Sequence, residues 1–294
     1  MIMNAKQSRF LKLIKAVQNK YREAVYEAIR DQINYFADRY QPGEVPTYLP
    51  TRNLIKTLRK IYEDAGYTNG VYVRNNLRKQ VRKDMTPAER LRWMINEYYR
   101  RFLLDQAVVP ITSTTRKQIL QVLEKANAEG WGVDKTVRAL KETDLTRQRA
   151  ELIVRTETMK AANAGAMLGA ADVGFEMRKQ WISAKDNRTR RVPRDQYDHL
   201  DMDGVQVGYN EYFMPLSTKS LDLMQYPGDP TASAGNVCNC RCTVAFVPVR
   251  DAQGRLVPLN RSSPNPFIQI ASQAAQLAIT ATTIINLIEL IEQE

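Results

Sequence analysis

The chain has 294 residues and a formal net charge of +11, long enough for two cores of ordinary size. Residues 1–104 hold 21 Lys and Arg against 10 Asp and Glu, while residues 105–294 hold 22 of each, so the whole excess lies in the N-terminal third. Such a block faces an anion (nucleic acid, anionic lipid or an acidic partner protein) or is a solvated helical surface. No Gly-rich phosphate loop or zinc-finger spacing accompanies it, so any DNA contact would run through phosphates and ignore sequence. Lys12, Lys15, Arg59, Lys60, Arg78, Lys79, Arg82 and Lys83 are the candidates for such contacts. Three cysteines spaced by one residue exclude a disulfide framework. The opening Met-Ile-Met-Asn-Ala-Lys has no apolar run resembling a signal peptide, so the protein is expected to act where it is made or in something assembled there.

In chain order, Phe10, Ile14, Val17, Tyr21, Ala24 and Ala28 alternate in steps of four and three, which predicts a helix over about 4–39 with one apolar stripe. Pro42, Gly43, Pro46 and Pro50 then define a loop. A second helix is expected over 51–65 with Gly66 as its stop, and a third over 72–83. Thr86-Pro87-Ala88-Glu89 is a capping box that starts a fourth helix through Phe102, with Trp93, Tyr98 and Tyr99 as packing residues. Pro110 and the run Thr112-Ser113-Thr114-Thr115 mark a domain boundary, giving a basic helical domain over 1–111 and a second domain over 112–250. In the second domain helices are expected over 116–129, stopping at Gly130, from near Asp134, and over 146–171. The last of these carries Arg155-Thr156-Glu157 and then Ala161-Ala162-Asn163-Ala164-Gly165-Ala166. Such small residues allow a close approach to a neighbouring helix.

From Met177 the texture changes to short segments and turn residues. Strands are expected over 178–184, 205–207 and 240–249, with a turn at Asp251-Ala252-Gln253-Gly254 returning the chain along the last of them. The fold class is α+β, predominantly helical, with a small strand-and-loop region packed on helices.

The stretch 181–242 collects residues that core building alone does not explain: Trp181-Ile182-Ser183, then Asp186-Asn187-Arg188-Thr189-Arg190, the only histidine His199, Asp203-Gly204, Pro227-Gly228-Asp229-Pro230 and Asn239-Cys240-Arg241-Cys242. These motifs, in this order, resemble those of the phage head-morphogenesis family named after the F protein of phage Mu, the minor head proteins. Arg155, Glu157 and Asn163 extend the resemblance upstream, so that it covers about 112–249. The resemblance implies a minor head protein of a tailed phage, acting in head assembly and in genome packaging or delivery. It implies a place in the virion near the portal, portal and capsid or scaffolding proteins as partners, DNA in contact, and assembly in the host cytoplasm. It implies no enzymatic activity and no small-molecule substrate. The 52 residues beyond Cys242 are too few for the toxin domain that some proteins of the family carry.

Two other readings stay open on the residues alone. One is a metal-dependent nucleic-acid enzyme, for which Asp186, Asp201, Asp203 and Asp229 are available carboxylates in no recognised order. The other is a DNA-binding module unrelated to virions. In an extended segment Cys238, Cys240 and Cys242 would project from one face, and three thiols with His199 are the right ligands for a tetrahedral zinc site. The spacing differs from the usual knuckle. The resemblance supports His199, Cys240 and Cys242 as family positions and gives Cys238 no counterpart. The alternative is buried thiols and a hydrogen-bonded histidine. Finally, Phe267, Ile270, Ala274, Leu277, Ala281, Ile284, Ile288 and Ile291 form a three-four repeat in a 251–294 tail, expected to be a helix that docks on another helix. Its Gln, Thr and Asn residues argue against a membrane span.

Overall fold

A computed structural model of the chain describes residues 5–78, 103–142, 145–171, 173–218 and 221–259. The expected helix at 86–102, the basic residues Lys79, Arg82 and Lys83, and the apolar tail at 267–291 lie outside the described residues. Among the described residues no helix is long and apolar enough to cross a membrane.

Helix α1 (Ala5–Ala37) buries Phe10, Ile14, Val17 and Tyr21, as the periodicity predicts, and continues through Val25, Ala28, Ile29 and Ile33. Ala24 is exposed instead. A 3.6-residue period carries position 25, not 24, onto the line of 14 and 21.

Helix α2 (Arg52–Arg78) joins what the sequence divides into two helices at Gly66. It runs antiparallel to α1, as the pairs Asp31 with Asn53 (2.6 Å), Tyr21 with Asp64 (2.7 Å) and Phe10 with Tyr72 (ring centroids 6.3 Å apart) show. Gly66 does not stop the helix because it serves a contact. Helix α5 (Leu145–Ala171) lies against α2, and a Cβ placed on Gly165 would sit 2.6 Å from the Cα of Gly66. One turn on, a Cβ on Gly169 would sit 2.8 Å from the carbonyl carbon of Gly70. Two glycines four residues apart on each helix thus leave the backbones in direct contact.

A π-helical turn at Leu104–Val108 leads into α3 (Val109–Ala128), which carries Pro110 in its first turn, where a missing N–H costs nothing. The polar run at 112–115, read from the sequence as part of a domain boundary, is therefore helical. Its hydroxyls are satisfied without leaving the helix: Thr114 donates to the carbonyl of Pro110 (2.9 Å) and Thr115 to that of Ile111 (3.1 Å). Thr112 receives a hydrogen bond from the buried amide of Gln32 on α1 (3.1 Å). Gly130, at φ +65, ends this segment as expected, and α4 (Val133–Lys141) follows.

Helices α1, α2 and α5 pack together in one compact unit with the strands that follow. Strand β1 (Met177–Ile182) is the centre of a three-stranded sheet in the order β2-β1-β3, with β2 at Gln206–Gly208 and β3 at Thr243–Pro248. β1 and β2 are antiparallel, with Lys179 opposite Val207. The Lys179 ammonium is buried and donates to the carbonyls of Glu211 (2.6 Å) and Gln225 (2.9 Å) and to Gln225 Oε1 (2.7 Å), so one side chain fixes two loops. Burial pushes its pKa down to about 7. A second, smaller unit comprises Gly174–Met177 and, among the described residues, 248–259. In it the N–H of Glu176 donates to Val257 and the N–H of Val249 to Glu176, and the Asp251 turn closes on the N–H of Arg255.

An alanine at Gly165 has to displace backbone rather than a flexible side chain. Gly165→Ala should therefore cost about 1–3 kcal/mol or more in urea unfolding. Gly132→Ala, at ordinary φ with nothing within 4 Å of the added Cβ, should cost much less.

Candidate metal centre

Helix α5 has almost no hydrophobic asymmetry, because every residue from Thr156 to Ala170 is buried. Its polar side chains must then find partners inside the protein. Glu157 pairs with Lys160 (2.9 Å) and accepts a hydrogen bond from Tyr62 of α2. Asn163 donates to the carbonyls of Pro227 (2.7 Å) and Cys242 (3.0 Å) and accepts from the N–H of Val244 (3.3 Å). Arg155 donates to Asn239 Oδ1 (2.7 Å), and the Thr156 hydroxyl accepts the N–H of Asn239 (2.9 Å). These last two bonds hold Asn239 in the left-handed region, at φ +59, where few residues but Asn and Gly are at ease.

That conformation decides which way the cysteines point. Cys238 caps a one-turn helix, α6 (Ala234–Val237), and Asn239 then reverses the chain, so the strict alternation of an extended segment does not apply. Cys240 and Cys242 face His199, with Sγ to Nδ1 distances of 3.6 and 3.7 Å. Cys238 does not join them. It is half-buried, its thiol pushed up by burial and lying within the fields of Lys160, Glu157 and Arg190. Its carbonyl accepts a hydrogen bond from Arg190. The ligand atoms of His199, Cys240 and Cys242 all lie within 4.8 Å of one another, and all three residues are buried.

The other ring nitrogen of His199 is fixed. Nε2 lies 2.5 Å from Asn236 Oδ1, an acceptor, so Nε2 carries the proton and Nδ1 offers its lone pair to the sulfurs. Asn236 Nδ2 donates in turn to Asp222 (3.2 Å), whose carboxylate also takes both polar groups of Ser233. Burial pushes the Asp222 carboxyl up, but the bonds from Ser233 and Asn236 outweigh it and hold the group below the usual range. Trp181 packs edge-on against His199, with ring centroids 5.2 Å apart. Between the thiols, Cys240 is drawn well below its ordinary pKa by the hydrogen bond from Cys242 and by His199, and Cys242, the donor, is pushed well above its own.

The remaining motif residues are consumed in holding this arrangement. Asp186 accepts the N–H of Arg188 (3.0 Å) and the hydroxyl of Thr189 (3.1 Å) in its own turn, and both ends of its carboxylate accept Arg241 (2.7 and 3.0 Å). Arg188 contributes its backbone, and its side chain is exposed. The backbone of Arg190 receives the N–H of His199 (3.0 Å). Asp203 accepts the N–H and hydroxyl of Ser183 and pairs with Lys185 (2.5 Å), while Gly204, at φ +83, donates to the carbonyl of Trp181. Pro227 and Gly228 present backbone to α5. Asp229, raised by burial, caps its own turn through Thr231 and Gln225. Asp201 is exposed.

Residues 117–245 match the family model described as Phage Mu protein F like protein. The chain carries a phage Mu F-like domain. No curated protein and no solved structure gives a match. Within the Mu F-like domain, sequence reasoning missed Asn236 and Asp222, which act through partners 14 to 37 residues away and leave no local pattern. Of the basic residues singled out, Lys12, Lys15, Arg59 and Lys60 are all exposed, and Arg78 ends α2. The antiparallel register places Arg59 and Lys60 near residues 24–25 of α1, roughly 15 Å along the helices from Lys12 and Lys15 at 1.5 Å per residue. The charges line a helical hairpin rather than forming one patch.

Asn163→Leu leaves two carbonyls and an N–H buried without partners. At about 1–3 kcal/mol for each unpaired group, it should cost several kcal/mol in urea unfolding, more than Asn76→Leu, whose partly buried amide bonds only its own helix.

Proposed function

We propose that this protein is a structural component of the head of a tailed bacteriophage, acting in head assembly rather than as an enzyme. The observation that carries the reading is the Mu F-like domain over residues 117–245. The chemistry of the domain supports it: the charged motif residues other than Arg188 are bonded within the protein, to side chains or to backbone. The nuclease reading needs carboxylates converging on a divalent metal. Among the described residues the cluster with metal-ligand geometry is His199, Cys240 and Cys242, a nitrogen and sulfur set suited to a structural ion.

The finer reading is a minor head protein that sits inside the virion near the portal. It meets portal and capsid or scaffolding proteins during assembly in the host cytoplasm and touches the packaged DNA through phosphates. The exposed Lys12, Lys15, Arg59 and Lys60 on α1 and α2 favour that contact. A DNA-binding module foreign to virions would share this charge, so particles decide between the two. Disruption of the gene in the phage or prophage that encodes it should abolish infectious heads, and the protein should be found in purified wild-type particles by mass spectrometry. Normal yields of infectious particles without it would overturn the proposal.

For the DNA contact, the full chain should bind unrelated duplexes about equally, with affinity falling steeply as salt rises. Reversing Lys12, Lys15, Arg59 and Lys60 to Glu should flatten the plot of log affinity against log salt by about 0.9 for each phosphate that is no longer neutralised. An unchanged slope would remove these residues from the interface.

A further inference from the structure

We infer that Nδ1 of His199 and the thiolates of Cys240 and Cys242 hold a zinc ion, and that Cys238 is not among its ligands. Three features carry this. The first is distance. Tetrahedral zinc with Zn–N of about 2.0–2.1 Å and Zn–S of about 2.3 Å separates a nitrogen from a sulfur ligand by about 3.5–3.6 Å. The two Nδ1 to Sγ distances are 3.6 and 3.7 Å. A shared cation accounts for both sulfurs lying at that distance from one nitrogen, whose single lone pair takes only one thiol proton.

The second feature is the setting of the histidine. A metal-bound imidazole needs its free nitrogen protonated and held, and here Nε2–H is directed onto Asn236 Oδ1, with Asn236 anchored by Asp222. This carboxylate-amide-imidazole chain orients the ring and makes its Nδ1 a better donor. The third feature is an unpartnered polar group. Trp181 is fully buried, its indole N–H has no hydrogen-bond partner, and its ring lies edge-on against His199 with centroids 5.2 Å apart.

Binding balances simply. Zinc enters as the divalent ion, the two thiols release their protons to solvent, and His199 gives up none, since its Nδ1 is already bare. The ion joins the loop that carries His199 to the turn that carries Cys240 and Cys242, 41 and 43 residues further along the chain. Its role is to lock that closure, and the test reads metal content and stability rather than activity.

Full-length protein purified without chelator should contain about one zinc per chain by elemental analysis. Chelation should lower its melting temperature, and zinc added back should restore it. Cobalt substituted for zinc should show thiolate charge-transfer absorption. Cys240→Ser and Cys242→Ser should lose the ion, whereas Cys238→Ser should keep it. Should the two ligand variants fail to fold, Asp222→Asn serves instead, since it touches no ligand atom and should weaken zinc binding about 10–100-fold in a chelator competition. Metal-free protein whose melting temperature is unmoved by zinc or chelator would overturn the inference. Loss of zinc in Cys238→Ser equal to that in Cys240→Ser would overturn the ligand assignment.

Discussion

Where helices α2 and α5 cross, no side chain separates their backbones: Gly165 meets Gly66 and Gly169 meets Gly70. Two contacts one turn apart fix both the distance and the direction of α5, and they draw it so far into the protein that it keeps no solvated face from Thr156 to Ala170. The consequences are chemical. A helix in that position must satisfy its polar side chains internally: Glu157 pairs with Lys160 and Tyr62, while Asn163 and the hydroxyl of Thr156 grip backbone from chain segments some 60 to 80 residues downstream. The basic hairpin of α1 and α2 is thus more than a charged appendage. It supplies the surface against which α5 is set, and through Tyr62 it supplies a partner for Glu157.

The path from α5 to the cysteines runs through one residue. Asn239 is held left-handed by Arg155 and Thr156, a conformation that Asn tolerates and that these two bonds select. Held there, it turns the chain so that Cys240 and Cys242 share a side with His199, while Cys238 is left near Lys160 and Glu157. The same turn exposes the carbonyl of Cys238 to Arg190, whose own carbonyl receives the N–H of His199. Histidine and cysteines are therefore positioned by a shared set of bonds.

The helical periodicity was legible because burial on one face imposes it: α1, α4 and α5 begin and end near where apolar spacing, Pro and Gly place them, whereas α3 ends as expected at Gly130 but starts at Val109, ahead of the expected 116. The reading failed at Gly66, where a residue that usually ends helices instead permits a contact, and nothing within α2 distinguishes the two uses. The match between Gly66-Gly70 and Gly165-Gly169 is visible only when both helices are considered together. At the candidate site, residue types and order identified His199, Cys240 and Cys242, since few other reasons bring those side chains together. The inclusion of Cys238 rested on an extended backbone, and the left-handed Asn239 that breaks it is imposed by residues more than 80 positions upstream. Asn236 and Asp222 were illegible for the same reason, as their function is defined by a histidine 23 or more residues away.

Short strands and turns make up most of the stretch from Trp181 to Cys242, with a single turn of helix at its end, so regular backbone ladders cannot be what holds it. Its order comes from ties between distant points: Asp186 to Arg241 across 55 residues, His199 to Cys240 across 41, Lys179 to Gln225 across 46. Each tie closes a long loop at an entropic cost that grows only slowly with loop length, so a long closure costs little more than a short one. Asp186 and Arg241 are committed to such a closure, while Arg188 and Asp201 stay exposed, so pairing across the chain and not charge as such fixes these loops.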